Sequence, residues 1–357
     1  MVQCGKTLAK IQDVGRIISS ITIDSLVGKT MADTPILQVE NLTTHFFLKQ
    51  GVVKALNDFN LTLKKGEILC VVGESGSGKT VMALSLLGLL PFPGKIISGR
   101  AVFEGTDLIT ADKNKMRDIR GKDISMVFQD PVTGLNPVIT VGEQVQETIM
   151  VHRSISKRDA QREAIVALNS AGLPDPKRIF SQYPFQLSGG MCQRVMLAMA
   201  MVMKPKILIA DEPTSSLDVT MQAQIMGEIR RLRDQAGTSI ILITHDMGLV
   251  AQMADQVAVM YGGSLMEFSS TETLFKRPTN PYTWSLLQTI ARIDQPDKSL
   301  RQIPGSMPNM IDMPDKCPFL SRCSKALNSC RNGGRPPLEQ VTPGHLVACY
   351  NRMYNSD

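Results

Sequence analysis

The apolar positions of this chain fall into two periods. Around ILCVV (Ile68–Val72), KILIADE (Lys206–Glu212) and TSIILIT (Thr238–Thr244) they form short unbroken runs, the pattern of strands buried on both faces of a parallel sheet. Ahead of them ILQVENL and VVKALNDFNLTL, joined to the first run by the turn KKGE, also read as strands. Helical patterns instead cover VMALSLLGLL after the first run and, mid-chain, TVGEQVQETIMVH and KRDAQREAIVALNSAG. Strands alternating with helices predict an α/β fold with an open parallel sheet. The longest apolar stretch, VMALSLLGLLPF, stops well short of the roughly 20 residues that span a bilayer. Residues 1–32 place Val14, Ile17, Ile18 and Ile21 at helical spacing but lack the continuous apolar core of a secretory signal, so a poorly ordered leader is expected.

Composition narrows the picture only slightly. At 357 residues the chain has room for a full α/β core and a second, smaller unit. A net charge of +6 suits an anionic ligand, a nucleic acid or an anionic membrane surface without choosing among them. Seven cysteines, an odd number, and no export segment place the chain in a reducing compartment.

The chemistry begins where the first buried run ends. GESGSGKT, Gly73, Glu74, Ser75, Gly76, Ser77, Gly78, Lys79 and Thr80, satisfies G-x-x-x-x-G-K-[ST] between a strand and a helix. Its glycines let backbone N–H groups turn around an anion, Lys79 can reach the β and γ phosphates of ATP, and the Thr80 hydroxyl can ligate Mg²⁺. KILIADE then delivers Asp211, suited to hold Mg²⁺, and Glu212, suited to deprotonate an attacking water, at a strand end where ligands sit. TSIILIT delivers His245 the same way. A second anion cradle starts at Ser188, Gly189 and Gly190 in LSGGMCQR, at the head of a long helix.

Taken together these motifs resemble the ATP-binding subunits of ABC transporters: GESGSGKT as Walker A, Gln129 in VFQDP as the Q-loop, LSGG as the signature, ILIADE as Walker B, Asp218 in SSLD as the D-loop and His245 as the switch histidine. The resemblance implies a P-loop NTPase fold of ABC type over residues 33–275, with an inserted helical subdomain at about 136–186. It implies that Gln129 contacts Mg²⁺ and the attacking water, that Phe46 rather than Phe47 stacks on adenine, and that Ser188, Gly189, Gly190 and Asp218 serve ATP across a head-to-tail dimer. Departures are few: Cys192 stands where arginine is frequent, Gly134 where serine is common, and Thr80 for serine.

Further on, NPYTWSLL and IPGSMPN resemble the oligopeptide and dipeptide importer branch, which also includes nickel importers. That branch implies a peripheral ATPase at the cytoplasmic face of the cell membrane, paired with a homologous second ATPase, two permeases and, indirectly, an external substrate-binding protein. A nickel importer is the alternative, and a non-transport ABC ATPase acting on nucleic acid the more distant one; no nucleic-acid partner is expected.

Four of the seven cysteines, Cys317, Cys323, Cys330 and Cys349, lie in the last 41 residues, within a region (276–357) read as a small accessory domain. Their spacing includes no tight C-x₂₋₄-C knuckle of the zinc type, and the compartment disfavours disulfides. By residue pattern alone free thiols, a four-thiolate [4Fe–4S] site and, less favoured by the spacing, zinc stay open. In the resembling branch this region is associated with such a cluster, and a structural [4Fe–4S] centre is therefore the expectation.

Overall fold

A computed structural model describes residues 35–131, 134–215, 218–289 and 302–354; the leader at 1–32 lies outside them. The strands are β1 (Pro35–Leu48), β2 (Gly51–Lys64), β3 (Ile68–Val72), β4 (Gly94–Phe103), β5 (Thr106–Asp107), β6 (Ile124–Val127), β7 (Ile207–Asp211), β8 (Ser239–Thr244), β9 (Gln256–Tyr261), β10 (Ser264–Ser270), β11 (Leu338–Thr342) and β12 (His345–Ala348). They form a four-stranded antiparallel sheet in the order β2-β1-β4-β5 and an eight-stranded sheet in the order β11-β12-β10-β9-β3-β8-β7-β6. In the larger sheet β6, β7, β8, β3 and β9 run parallel, and the remaining pairings are antiparallel.

The unbroken apolar runs become the centre of that sheet because both faces are covered. Successive side chains of a strand point to opposite faces. Ile68, Cys70 and Val72 of β3, with Leu208, Ala210, Ile240 and Leu242, join one core with the helix Gly189–Met201. Leu69 and Val71, with Ile207, Ile209, Ile241 and Ile243, join the other, packed against the small sheet through Leu37, Leu56 and Phe59 and against Met82 of the helix Lys79–Leu86. β3 lies between β8 and β9, so the loop that follows it opens at the middle of the sheet edge. The resemblance to an ABC cassette is thus met by the fold.

Between the Q-loop and the signature lie the helices Val141–His152 and Lys157–Ser170, which the polar residues at their starts define. Thr140 and Glu143 form a reciprocal capping box, and the Ser156 hydroxyl accepts from Asp159 N at 3.1 Å.

The C-terminal region is attached at two edges. β12 pairs with β10 (Glu267 opposite Val347, Phe268 opposite Leu346), extending the core sheet rather than starting a separate one. At the other edge Lys54 N donates to Met310 O, and Val52 and Asp312 exchange bonds, Val52 N to Asp312 Oδ1 at 3.0 Å and Asp312 N to Val52 O at 2.8 Å. Lys54 Nζ also donates to Met313 O at 3.0 Å. No helix among the described residues is long and apolar enough to cross a membrane.

Candidate active site

The phosphate loop leaves β3 through backbone conformations that side chains avoid. Gly73 has φ 153° and Gly78 φ 103°, and a Cβ at either would strike backbone oxygen, of Met260 and Ala55 respectively. Lys79 begins the following helix and folds back into the loop, its ammonium donating to Gly73 O at 2.8 Å and Glu74 O at 3.0 Å. Burial pulls the Lys79 ammonium below its ordinary value, and the carboxylates of Glu212, Asp211 and Glu74 oppose that shift.

Asp211 closes β7 at 2% exposure. Burial raises its carboxyl, while a hydrogen bond from the Thr80 hydroxyl works the other way. Its Oδ1 is buried without a hydrogen-bond partner, so a hard, oxygen-seeking cation fits beside the Thr80 hydroxyl. The next residue, Glu212, has φ 45°, a left-handed backbone that a non-glycine residue rarely adopts and that concentrates at functional sites. Two side chains hold its carboxylate: Gln129 Nε2 donates to Oε2 at 3.1 Å, and His245 Nδ1 lies 3.2 Å from Oε1. Glu212, Gln129 and His245 come from the ends of three neighbouring parallel strands, β7, β6 and β8.

Of these groups Lys79, Thr80, Gln129 and Glu212 line a cleft of about 440 Å³. Phe46 lines it together with Ser75, Gly76, Gly78, Lys79, Thr80, Gln129 and Glu212. Phe47 does not; it is 45% exposed, with Lys95 Nζ 5.8 Å from its ring centre. Ser188, Gly189, Gly190 and Asp218 are not brought to this cleft. Ser188 instead caps the helix Gly189–Met201, accepting from Met191 N at 3.3 Å, and Asp218 caps the helix Val219–Ala236, accepting from Met221 N at 2.9 Å. Two of the three departures from the family pattern have packing reasons: Cys192 is 2% exposed with its Sγ donating to Pro184 O at 3.5 Å, and a Cβ on Gly134 would meet the Met196 sulfur.

Residues that motif spacing could not find also meet here. Met310, from the IPGSMPN stretch, lines the cleft beside Phe46 and Leu48. Tyr282 and Arg322 reach Glu74 from the C-terminal region. The phrases containing them mark a branch of proteins, but no local pattern states where the chain returns.

Cys317, Cys323, Cys330 and Cys349 line a common cavity with Met266 and Phe319. Burial pushes the Cys317 thiol up to about 12 and Cys349 up to about 11, and the neighbouring cysteines add to the shift. As they stand, no three His, Cys, Asp or Glu side chains among the described residues form a group that could hold a metal ion.

A glycine loop cradling a buried lysine, an acidic pair at the end of β7, one strand removed in the same parallel sheet, and a second cradle outside the cleft define a P-loop ATPase of ABC type. Residues 56–215 match the ABC transporter family and residues 266–330 the oligopeptide/dipeptide transporter C-terminal region. The chain is 44% identical to the oligopeptide transport ATP-binding protein OppD of Salmonella typhimurium, over 88% of this chain and 93% of that protein. It is also 44% identical to the dipeptide transport ATP-binding protein DppD of Bacillus subtilis, over 90% and 93%. Among solved structures it resembles the dimeric ATP-binding cassette MJ0796 bound to ADP and Pi, with TM-score 0.60, 27% identity and coverage of 66% of this chain and 98% of that one. CbiO1 of Clostridium perfringens gives TM-score 0.57 at 29% identity, covering 69% and 92%. The chain belongs to the ATP-binding proteins of the ABC oligopeptide/dipeptide transport family.

Proposed function

We propose that this chain is the ATP-hydrolysing subunit of an ABC importer for dipeptides or oligopeptides. The observation that carries the reading is Glu212, strained at the end of β7 and held by both Gln129 and His245 beside the phosphate loop. The loop amides and Lys79 bind the β and γ phosphates, and Phe46 stacks on the base. Glu212 accepts the proton of the attacking water while Gln129 and His245 orient it. Asp211 and Thr80, with Gln129, hold Mg²⁺, which when bound neutralises charge on the phosphates.

Ser188, Gly189, Gly190 and Asp218 complete the ATP site of a second, homologous ATPase subunit; their distance from this chain's own cleft and the dimeric cassette it resembles support that role. The permeases dock near the helical region. An apolar cleft of about 220 Å³ between Leu89, Phe128, Thr148 and Met196, with Leu89 and Phe128 exposed, supports this placement. The chain is then peripheral at the cytoplasmic face, and an external binding protein delivers the peptide. The four C-terminal cysteines would hold a structural [4Fe–4S] cluster only by drawing together from their present positions; that they line one cavity supports the reading, although as they stand no three of them are grouped to bind a metal ion.

Co-purification tests the assembly. The full chain is expected to emerge with two permeases and a second ATPase, and Glu212→Gln to retain ATP and stop peptide uptake. Recovery with nucleic acid and no membrane protein would refute the importer reading.

A further inference from the structure

Glu74, the residue after the first loop glycine, is fastened from three sides. Its carbonyl accepts from Lys79 Nζ at 3.0 Å, its N–H donates to the Tyr282 hydroxyl at 3.0 Å, and its Oε2 accepts from Arg322 Nη1 at 2.8 Å. Two of the three fastenings come from beyond β10, from a part of the chain that the phosphate-loop motif does not include.

Arg322 is itself immobilised. Its side chain is 6% exposed, and three more of its N–H groups donate to Tyr261 OH at 3.0 Å, Pro304 O at 2.8 Å and Ile303 O at 3.2 Å. The guanidinium lies 5.8 Å from the Tyr261 ring centre and 6.0 Å from that of Phe319. Tyr261, Tyr282 and Phe319 pack together with ring centres 4.6 to 5.3 Å apart, so the Arg322 guanidinium is walled by aromatic rings, while Glu74 keeps 25% of its side chain exposed. The guanidinium, fixed by these bonds, holds the Glu74 carboxylate through a single oxygen, Glu74 Oε1 having no partner of its own.

We infer that Arg322 is a positioning residue for ATP binding: through Glu74 it holds the phosphate loop and Lys79 in the conformation that receives the phosphates. Tyr282 supports the same residue from its amide side. The inference rests on the reading that Gly73 to Thr80 bind ATP. Glu74 is the hinge of the argument, because the residue whose carboxylate Arg322 grips is the one whose carbonyl anchors the Lys79 ammonium. A loop freed at Glu74 would have to be ordered again by each incoming nucleotide, so the effect falls on affinity before it falls on the chemical step.

The test uses the full-length chain with its partner subunits, measuring ATP binding by a fluorescent analogue, steady-state hydrolysis and melting temperature. Arg322→Gln is expected to raise Kd and KM for ATP about tenfold, with a smaller change in kcat. Arg322→Lys, which keeps the charge but not the fork, recovers part of the loss. Arg322→Gln combined with Glu74→Gln is expected to be no worse than Arg322→Gln alone, the signature of one shared interaction. Tyr282→Phe, a smaller change that spares the fold, raises Kd a few-fold. A lowered melting temperature with unchanged Kd in Arg322→Gln and Tyr282→Phe would reduce both residues to structural glue and overturn the inference, as would additive effects in the double variant. Lys79→Ala is the reference: if it binds ATP as well as the unaltered chain, the loop assignment itself falls, and the inference with it.

Discussion

Glu267 of β10 and His345 of β12, 78 residues apart in sequence, meet in the interior with His345 Nε2 2.8 Å from Glu267 Oε1. Glu267 is fully buried and also accepts from Thr279 N at 2.8 Å and Asn280 N at 2.9 Å. One carboxylate thus gathers β10, the approach to the helix Pro281–Gln288 and the C-terminal hairpin. Glu267→Ala leaves those donors buried and unpaired and is expected to cost about 3–5 kcal/mol of unfolding free energy in urea. His345→Ala leaves the two backbone bonds intact and should cost less, about 1–3 kcal/mol.

The position of Glu212 predicts a separation of binding from chemistry. Glu212→Gln should lower the hydrolysis rate by about 10²–10⁴-fold while ATP affinity stays within a few-fold, measured by phosphate release and equilibrium binding. His245→Ala, which removes one of the two groups oriented on that carboxylate, should slow hydrolysis less. Equal losses in affinity and rate would contradict the assignment of a base.

At the base end of the cleft, Phe46→Ala is expected to weaken ATP binding by about 1–3 kcal/mol through lost stacking. Met310→Ala should weaken it a few-fold, because Met310 lines the same cleft from the C-terminal region. Phe47→Ala should leave affinity unchanged. Nucleotide titration of the three variants separates these outcomes.

Anaerobic purification is expected to yield a brown protein with about four iron and four sulfide per chain, the content of one cubane cluster. Cys317→Ser should lose both the colour and the iron. Colourless, iron-free and properly folded protein would show that the four thiols are free.

The phosphate loop, the acidic pair and the signature were legible in the sequence because each is local chemistry. A glycine loop needs its glycines at fixed spacing, and a carboxylate that must face a ligand follows directly on a buried strand. Glu212, Gln129 and His245 could each be named from such signals. Their mutual contact needed three strand ends side by side, an order fixed by sheet topology rather than by spacing along the chain.

The two periods of apolar residues, the strands β1, β2, β3, β7 and β8 and the class of chemistry were readable from the sequence, since these depend on side chains a few positions apart. The tertiary structure alone decided where the C-terminal region goes. Its hairpin completes the core sheet at β10, its Met310–Asp312 stretch lies along β2, and Arg322 reaches Glu74 across 248 positions. Sheet-edge pairing and a buried ion pair are satisfied by whichever distant segment packs there, and no local pattern records the partner's address.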